Sequence, residues 1–182
     1  MLVTKKVFFY FIIIFYFNIP IVNANNLKIL FDDLFNAKNI HEAELIEQKI
    51  WNKWTKHPNI TSLTNKLENG TYSMHHKQYQ IALKLFSDII NEDPGWAEGW
   101  NKRATLLFLM GNYEKSLEDI DKVLKIEPRH FGALSGRSQI YISFKEYEKA
   151  IEDLQKAKSI YPFIKSGDNI NIIKKIIKKL QI

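Results

Sequence analysis

Three prolines set the length of the building block. Pro94, Pro128 and Pro162 stand 34 residues apart, with no other proline between them. The same step relates Tyr79, Tyr113 and Tyr147; Ala82, Ser116 and Ala150; Leu83, Leu117 and Ile151; and Phe86, Ile120 and Leu154. It also relates the small residues Gly70, Ala104 and Ser138. A chain that repeats five residue classes at one spacing is built from copies of one supersecondary unit, each burying its apolar face on the next.

Each unit reads as two helices. In the first, Ala104, Leu107 and Phe108 recur at helical spacing, and Gly111-Asn112 then ends the pattern with residue types that leave a helix through a left-handed cap. In the second, Leu117, Ile120 and Leu124 form one apolar stripe, and Pro128 ends it by forcing Glu127 out of the helical region. A small residue on each helix, Ala104 and Ser116, lets the two backbones approach closely.

These residues resemble the tetratricopeptide repeat family, whose unit of about 34 residues is a helix-turn-helix with a small residue in each helix, an aromatic opening the second and proline at the end. The resemblance covers residues 63–162. Trp100 falls on the family's aromatic in the first helix, whereas Lys66 and Leu134 replace it in the flanking units. The stretches PGWAEGWNKRA (94–104) and EPRHFGALSG (127–136) also look like those of short bacterial envelope proteins of this kind. The resemblance implies an all-α fold, a helical-hairpin repeat solenoid wound as a right-handed superhelix, with units at 63–96, 97–130 and 131–164.

Both ends of the array differ from its units. Residues 25–62 fit a helical pair: Leu27, Leu30, Phe31 and Leu34 mark one helix, and Ala43, Ile46, Ile50, Trp51 and Trp54 the other. Pro58 lies 36 residues before Pro94, which leaves open whether this pair is a degenerate first unit. Residues 165–182 place Ile173, Ile176, Ile177 and Leu180 on one helical face and Lys174, Lys175, Lys178 and Lys179 on the other. One reading is a capping helix that covers the last unit. The other is a basic amphipathic helix lying on an anionic membrane surface.

Residues 1–24 have the order of a secretory signal. Lys5 and Lys6 precede an apolar run from Val7 to Phe17, followed by Asn18, Pro20 and the small-residue site Val22-Asn23-Ala24. The run is shorter than the ~20 residues needed to span a bilayer. Cleavage after Ala24 is expected, leading to a periplasmic or extracellular protein; the alternative is an uncleaved membrane anchor. Without cysteine there is no disulfide framework, thiolate metal site or lipidated cysteine. The formal charge of +6 falls to +4 without the signal segment, and much of the rest lies in the last helix. No broad basic face remains for nucleic acid.

The residue pattern holds no catalytic constellation, and neither an enzyme, a cofactor nor a metal is expected. His75 and His76 are adjacent and point apart on a helix, unlike a zinc pair four residues apart. His41, His57 and His130 are isolated and read as surface or packing histidines, and no glycine-rich phosphate loop is present. The expected role is a protein- or peptide-binding adaptor or scaffold in the cell envelope. Its alternatives are a peripheral membrane protein and an accessory subunit of an envelope enzyme.

Two features bear on that role. Arg103 and Arg137 are 34 residues apart on first helices, as are Asp119 and Asp153 on second helices, while the remaining unit has Asn69 and Leu85. Joint presence and absence points to ion pairs, Arg103 with Asp119 and Arg137 with Asp153, or else to an arginine ladder for an acidic partner. The family resemblance places a partner groove on the first helices. Matching residue by residue puts Leu67, Thr71, Met74, Glu98, Asn101, Thr105, Phe108, Ser135, Gln139 and Ile142 there. Leu67 and Thr71 occupy places where chaperone-binding relatives carry their carboxylate clamp, which argues against a chaperone-tail ligand.

Overall fold

The computed structural model describes residues 21–180. The signal-like segment therefore lies outside the described residues, apart from its last four positions. Among the described residues nine α-helices follow one another: α1 Ile21–Phe35, α2 Ile40–Thr55, α3 Thr61–His75, α4 Tyr79–Glu92, α5 Ala97–Leu109, α6 Tyr113–Ile126, α7 Phe131–Ser143, α8 Tyr147–Ile160 and α9 Asn169–Leu180. A 3-10 turn, Lys165–Asp168, precedes α9, and there is no strand among the described residues. The molecule is an all-helical solenoid in which α3–α4, α5–α6 and α7–α8 pair as hairpins and stack through α4 on α5 and α6 on α7.

Each hairpin turns on a left-handed residue. The φ angles are 58° at Lys77, 74° at Gly111 and 61° at Lys145, at the 34-residue step. Each is followed by the same pair of bonds. Around Gly111, its own N–H donates to Phe108 O at 3.0 Å and Asn112 N–H to Leu107 O at 2.8 Å, which satisfies carbonyls at the helix end. Only Gly111 is the residue type this geometry favours; the lysines carry it at a steric cost.

Within a hairpin, size is matched across the helices. A Cβ at Gly70 would sit 2.5 Å from Phe86 Cε1, so the largest ring of its class faces the residue with no side chain. In the next unit the smaller Ile120 shares a core cluster with Ala104, and Ser116 Oγ donates to Ala104 O at 2.8 Å. Ala150 is fully buried at the corresponding place in α8. Ala150→Leu should overpack this contact and lower the unfolding free energy by about 1–3 kcal/mol, measurable by urea denaturation.

The N-terminal pair does not lie against α3. Its helices α1 and α2 pack across the array, α1 on α8 and α2 on α5. The core cluster they form joins Phe31, Leu34, Ile46, Ile50 and Trp54 to Phe131 and Leu134 of α7 and to Ala157 and Tyr161. Asn39 starts α2 by accepting from Glu42 N–H at 2.9 Å, and Glu42 Oε2 accepts from Lys38 N–H at 2.8 Å, a reciprocal cap. At the other end, α9 packs on α8 through fully buried Ile173, flanked by Ile170 and Ile177.

Candidate functional site

The first helices of the second and third units, α5 and α7, enclose a cleft of about 240 Å³. Asn101, Thr105 and Phe108 from α5 and Gln139 from α7 line it, joined by Gly132 and Gly136. No charged side chain is among its lining residues. Thr105 and Gln139 are exposed, Phe108 is half-buried and Asn101 is buried. Four of the ten residues matched to a groove thus meet in one place.

The other six lie elsewhere. Leu67 and Met74 are core residues, packed with Leu63, Phe86 and Leu106, because the α5 side of the stack covers that part of α3. Thr71 is half-buried, its hydroxyl bonded to Leu67 O at 2.8 Å. Ile142 packs toward α9 in the cluster around Ile173. Ser135 lies in a neighbouring cleft of about 300 Å³ beside Trp51, its hydroxyl 2.8 Å from that of Ser166. Glu98 is only 1% exposed and faces inward.

Glu98 belongs to a buried polar cluster at the feet of α5 and α7. His130 is fully buried and its Nδ1 accepts from Ala133 N–H at 3.0 Å, capping α7. Nε2 therefore carries the proton, and it lies 3.2 Å from Glu98 Oε2. Glu98 Oε1 accepts from Asn101 Nδ2 at 3.0 Å. Above the imidazole lies the ring of Trp54, stacked at 4.0 Å and 7°, and Trp54 O accepts from Trp96 Nε1 at 2.9 Å. A chain of contacts thus runs from the N-terminal pair through His130 and Glu98 to Asn101 in the cleft.

Burial pushes the Glu98 carboxyl up, but the bond from His130, the nearby Lys102 ammonium and the Asn101 amide outweigh it and hold the group below its usual value. A carboxyl depressed by folding contributes stability above its ordinary range, and that contribution is lost as pH falls through the folded value. Urea titrations at decreasing pH should show this loss in the native chain, with a flatter acid limb in Glu98→Gln.

His57 repeats the arrangement. Its Nδ1 accepts from Asn59 and Ile60 N–H at 3.2 and 2.9 Å, and Nε2 sits 2.7 Å from Asp93 Oδ2. Neither role follows from an isolated histidine in a sequence. The one local signal is an adjacent Pro58, or Pro128 two residues before, marking a helix approach that lacks a serine, threonine or aspartate cap.

Models of the tetratricopeptide repeat match residues 97–130 and 132–163. Residues 97–130 and 132–163 are thus two tetratricopeptide repeats. A TPR repeat-containing protein of Rhizobium etli is 40% identical over 111 residues, covering 61% of this chain and 54% of that protein. A tetratricopeptide repeat and J domain-containing co-chaperone of Cryptococcus neoformans is 28% identical over 83 residues, 46% of this chain and 16% of its own length. The chain therefore spans about half of the first relative and far less of the second. Among solved structures, the first TPR of Spaghetti bound to an HSP90 peptide superposes with a TM-score of 0.61 at 15% identity, covering 64% of this chain and 93% of that one. A MamA crystal structure gives 0.57 at 17% identity over 84% of this chain and 81% of its own.

In the tetratricopeptide array, the arginines each tie three helices. Arg103 Nε and Nη2 donate to Asp119 at 2.7 and 2.8 Å, and Nη1 reaches Ser87 Oγ on the preceding unit at 3.2 Å. Arg137 does the same with Asp153 at 2.8 and 2.7 Å, with Asp121 of the preceding unit accepting from Nη1 at 2.8 Å. The bond to Asp153 raises the Arg137 guanidinium above its usual range against the opposing effect of burial. With the donors engaged in this way, neither guanidinium faces the cleft between α5 and α7.

Proposed function

We propose that the chain is a non-catalytic adaptor or scaffold of the cell envelope that holds a protein or peptide segment in the groove between α5 and α7. The observation that carries this reading is the uncharged cleft, open to solvent beside exposed Thr105, Leu109 and Gln139, on the helices that the repeat family uses for partners. The likeness to a TPR domain bound to a peptide agrees with it. The lining carries no lysine or arginine for a terminal carboxylate, so the ligand is an internal or neutral segment. The test is photo-crosslinking in intact cells from Gln139 and, as control, from Lys122 on α6. One stoichiometric partner captured from Gln139 alone is expected; equal capture from Lys122 would refute the groove. Export rests on the signal-like order of residues 1–24, and a mature N-terminus at Asn25 is the expected result of protein sequencing. A partner that proves to be an envelope enzyme would make the chain its accessory subunit.

A second reading has its own observation. On α9, Ile172 is 56% and Leu180 67% exposed, although Ile173 is buried, and Lys174, Lys175, Lys178 and Lys179 are all exposed. Part of the apolar face is thus left over after capping, beside four cations, as a helix on an anionic membrane requires. Sedimentation with vesicles tests it: binding to phosphatidylglycerol but not to phosphatidylcholine, lost in Ile172→Glu/Leu180→Glu, is the outcome that fits.

A further inference from the structure

Gly132 and Gly136 lie one turn apart on the same side of α7. The first is a notch already filled: a Cβ there would sit 2.7 Å from Trp51 Cη2 of α2. The second is a notch left empty, since a Cβ at Gly136 would meet nothing within 4 Å. A mid-helix glycine costs stability, and at Gly136 the chain's own packing does not require it. Both glycines border the cleft walled by Phe108, Leu109 and Ile140, so the empty notch continues the line along which α2 already docks. A second observation concerns Asn101, which lines the same cleft at 7% exposure. Its Nδ2 donates to Glu98 Oε1, which leaves Oδ1, an atom solvent still reaches, without a protein donor among the described residues.

We propose that the cleft receives an aromatic side chain from a neutral partner segment, seated on Gly136 as Trp51 is seated on Gly132, while Asn101 Oδ1 accepts a backbone N–H of that segment. The proposal rests on the groove reading above and names the partner's chemistry. An aromatic fits because Phe108, Leu109, Ile120 and Ile140 give an otherwise small or polar, uncharged lining its apolar surface and the floor at Gly136 lacks a Cβ, leaving room for a flat ring against backbone. A charged residue at the same point would be desolvated with no counter-charge in the lining.

The probe is an array of short capped peptides with flanks randomised over Gly, Ser, Asn and Thr and a central Trp, Ala, Glu or Lys. Binding of the full chain is measured by fluorescence anisotropy. Trp peptides should bind about tenfold more tightly than Ala peptides, and Gly136→Leu should abolish that preference with an unchanged melting temperature. Equal affinity for Trp and Ala, preference for Glu or Lys, a preference that survives Gly136→Leu, or no binding of any peptide would each overturn it. Gln139→Arg separates the two levels. If Trp and Ala peptides bind equally and both are lost in Gln139→Arg, the groove stands and the aromatic notch fails. If binding persists in Gln139→Arg, the groove reading fails with it.

Discussion

Trp54→Ala should release the N-terminal pair from the array and lower stability by about 3–5 kcal/mol, the cost of emptying a large aromatic site. Trp54 is 8% exposed and central to the docking: its ring lies 4.0 Å from His130, 5.1 Å from Phe131, 5.2 Å from Trp51 and 5.9 Å from Phe31. Its truncation also uncovers the buried Glu98–His130 couple to water. Trp54→Phe is the informative control. Trp54 Nε1 is buried without an acceptor, so phenylalanine loses no hydrogen bond and removes an unsatisfied donor. That change should cost less than about 1.5 kcal/mol. Urea denaturation measures both, and proteolysis in the 56–60 linker reports undocking. If the alanine variant unfolds in two transitions, the loss belongs to the first, with the repeats surviving it.

The second large effect concerns the arginine struts. Asp153→Ala should cost about 3 kcal/mol, the low end for breaking a buried pair, because the Arg137 side chain keeps 20% of its exposure and the company of Asp121. Replacing Arg137 and Asp153 together by Met and Leu should return most of that loss, since an apolar pair of similar volume is often neutral. Exchanging the charges separates the two struts. At 103 and 119 the exchanged aspartate would face Ser87, and stability should be retained; at 137 and 153 it would face Asp121, and like charges should make the exchange destabilising. Equal responses in thermal melts of the two exchanged variants would show that the preceding unit's side chain plays no part.

Contacts within one unit were legible in the sequence, and contacts between units were not. Spacing points to the pairing of Arg103 with Asp119 as one of two readings, because both partners lie within one 34-residue unit. It does not locate Leu67 and Met74, which are on the expected helix but covered by the neighbouring unit. Accessibility is a property of the stack, not of the helix. The left-handed turn residues tell the same story: Gly111 announces itself, whereas Lys77 and Lys145 adopt that conformation only because the hairpin imposes it. The docking of α2 was least legible. Amphipathic spacing at Ile46, Ile50 and Trp54 shows that a face must be buried and says nothing about which surface buries it. Gly132, opposite Trp51, carried that information, and a glycine in a helix has several readings.

The crossing of α1 and α2 over the array also orders events in time. Glu47 accepts from the hydroxyl of Tyr161, 114 residues further along the chain. At about 5–20 residues per second a ribosome needs about 6–23 s to cover that distance, so α1 and α2, which can meet each other and then α5 earlier, wait for the last repeat before their contacts with α7 and α8 can form. The units between can pair with their neighbours as they appear; the packing of α1 on α8 is completed only at the end.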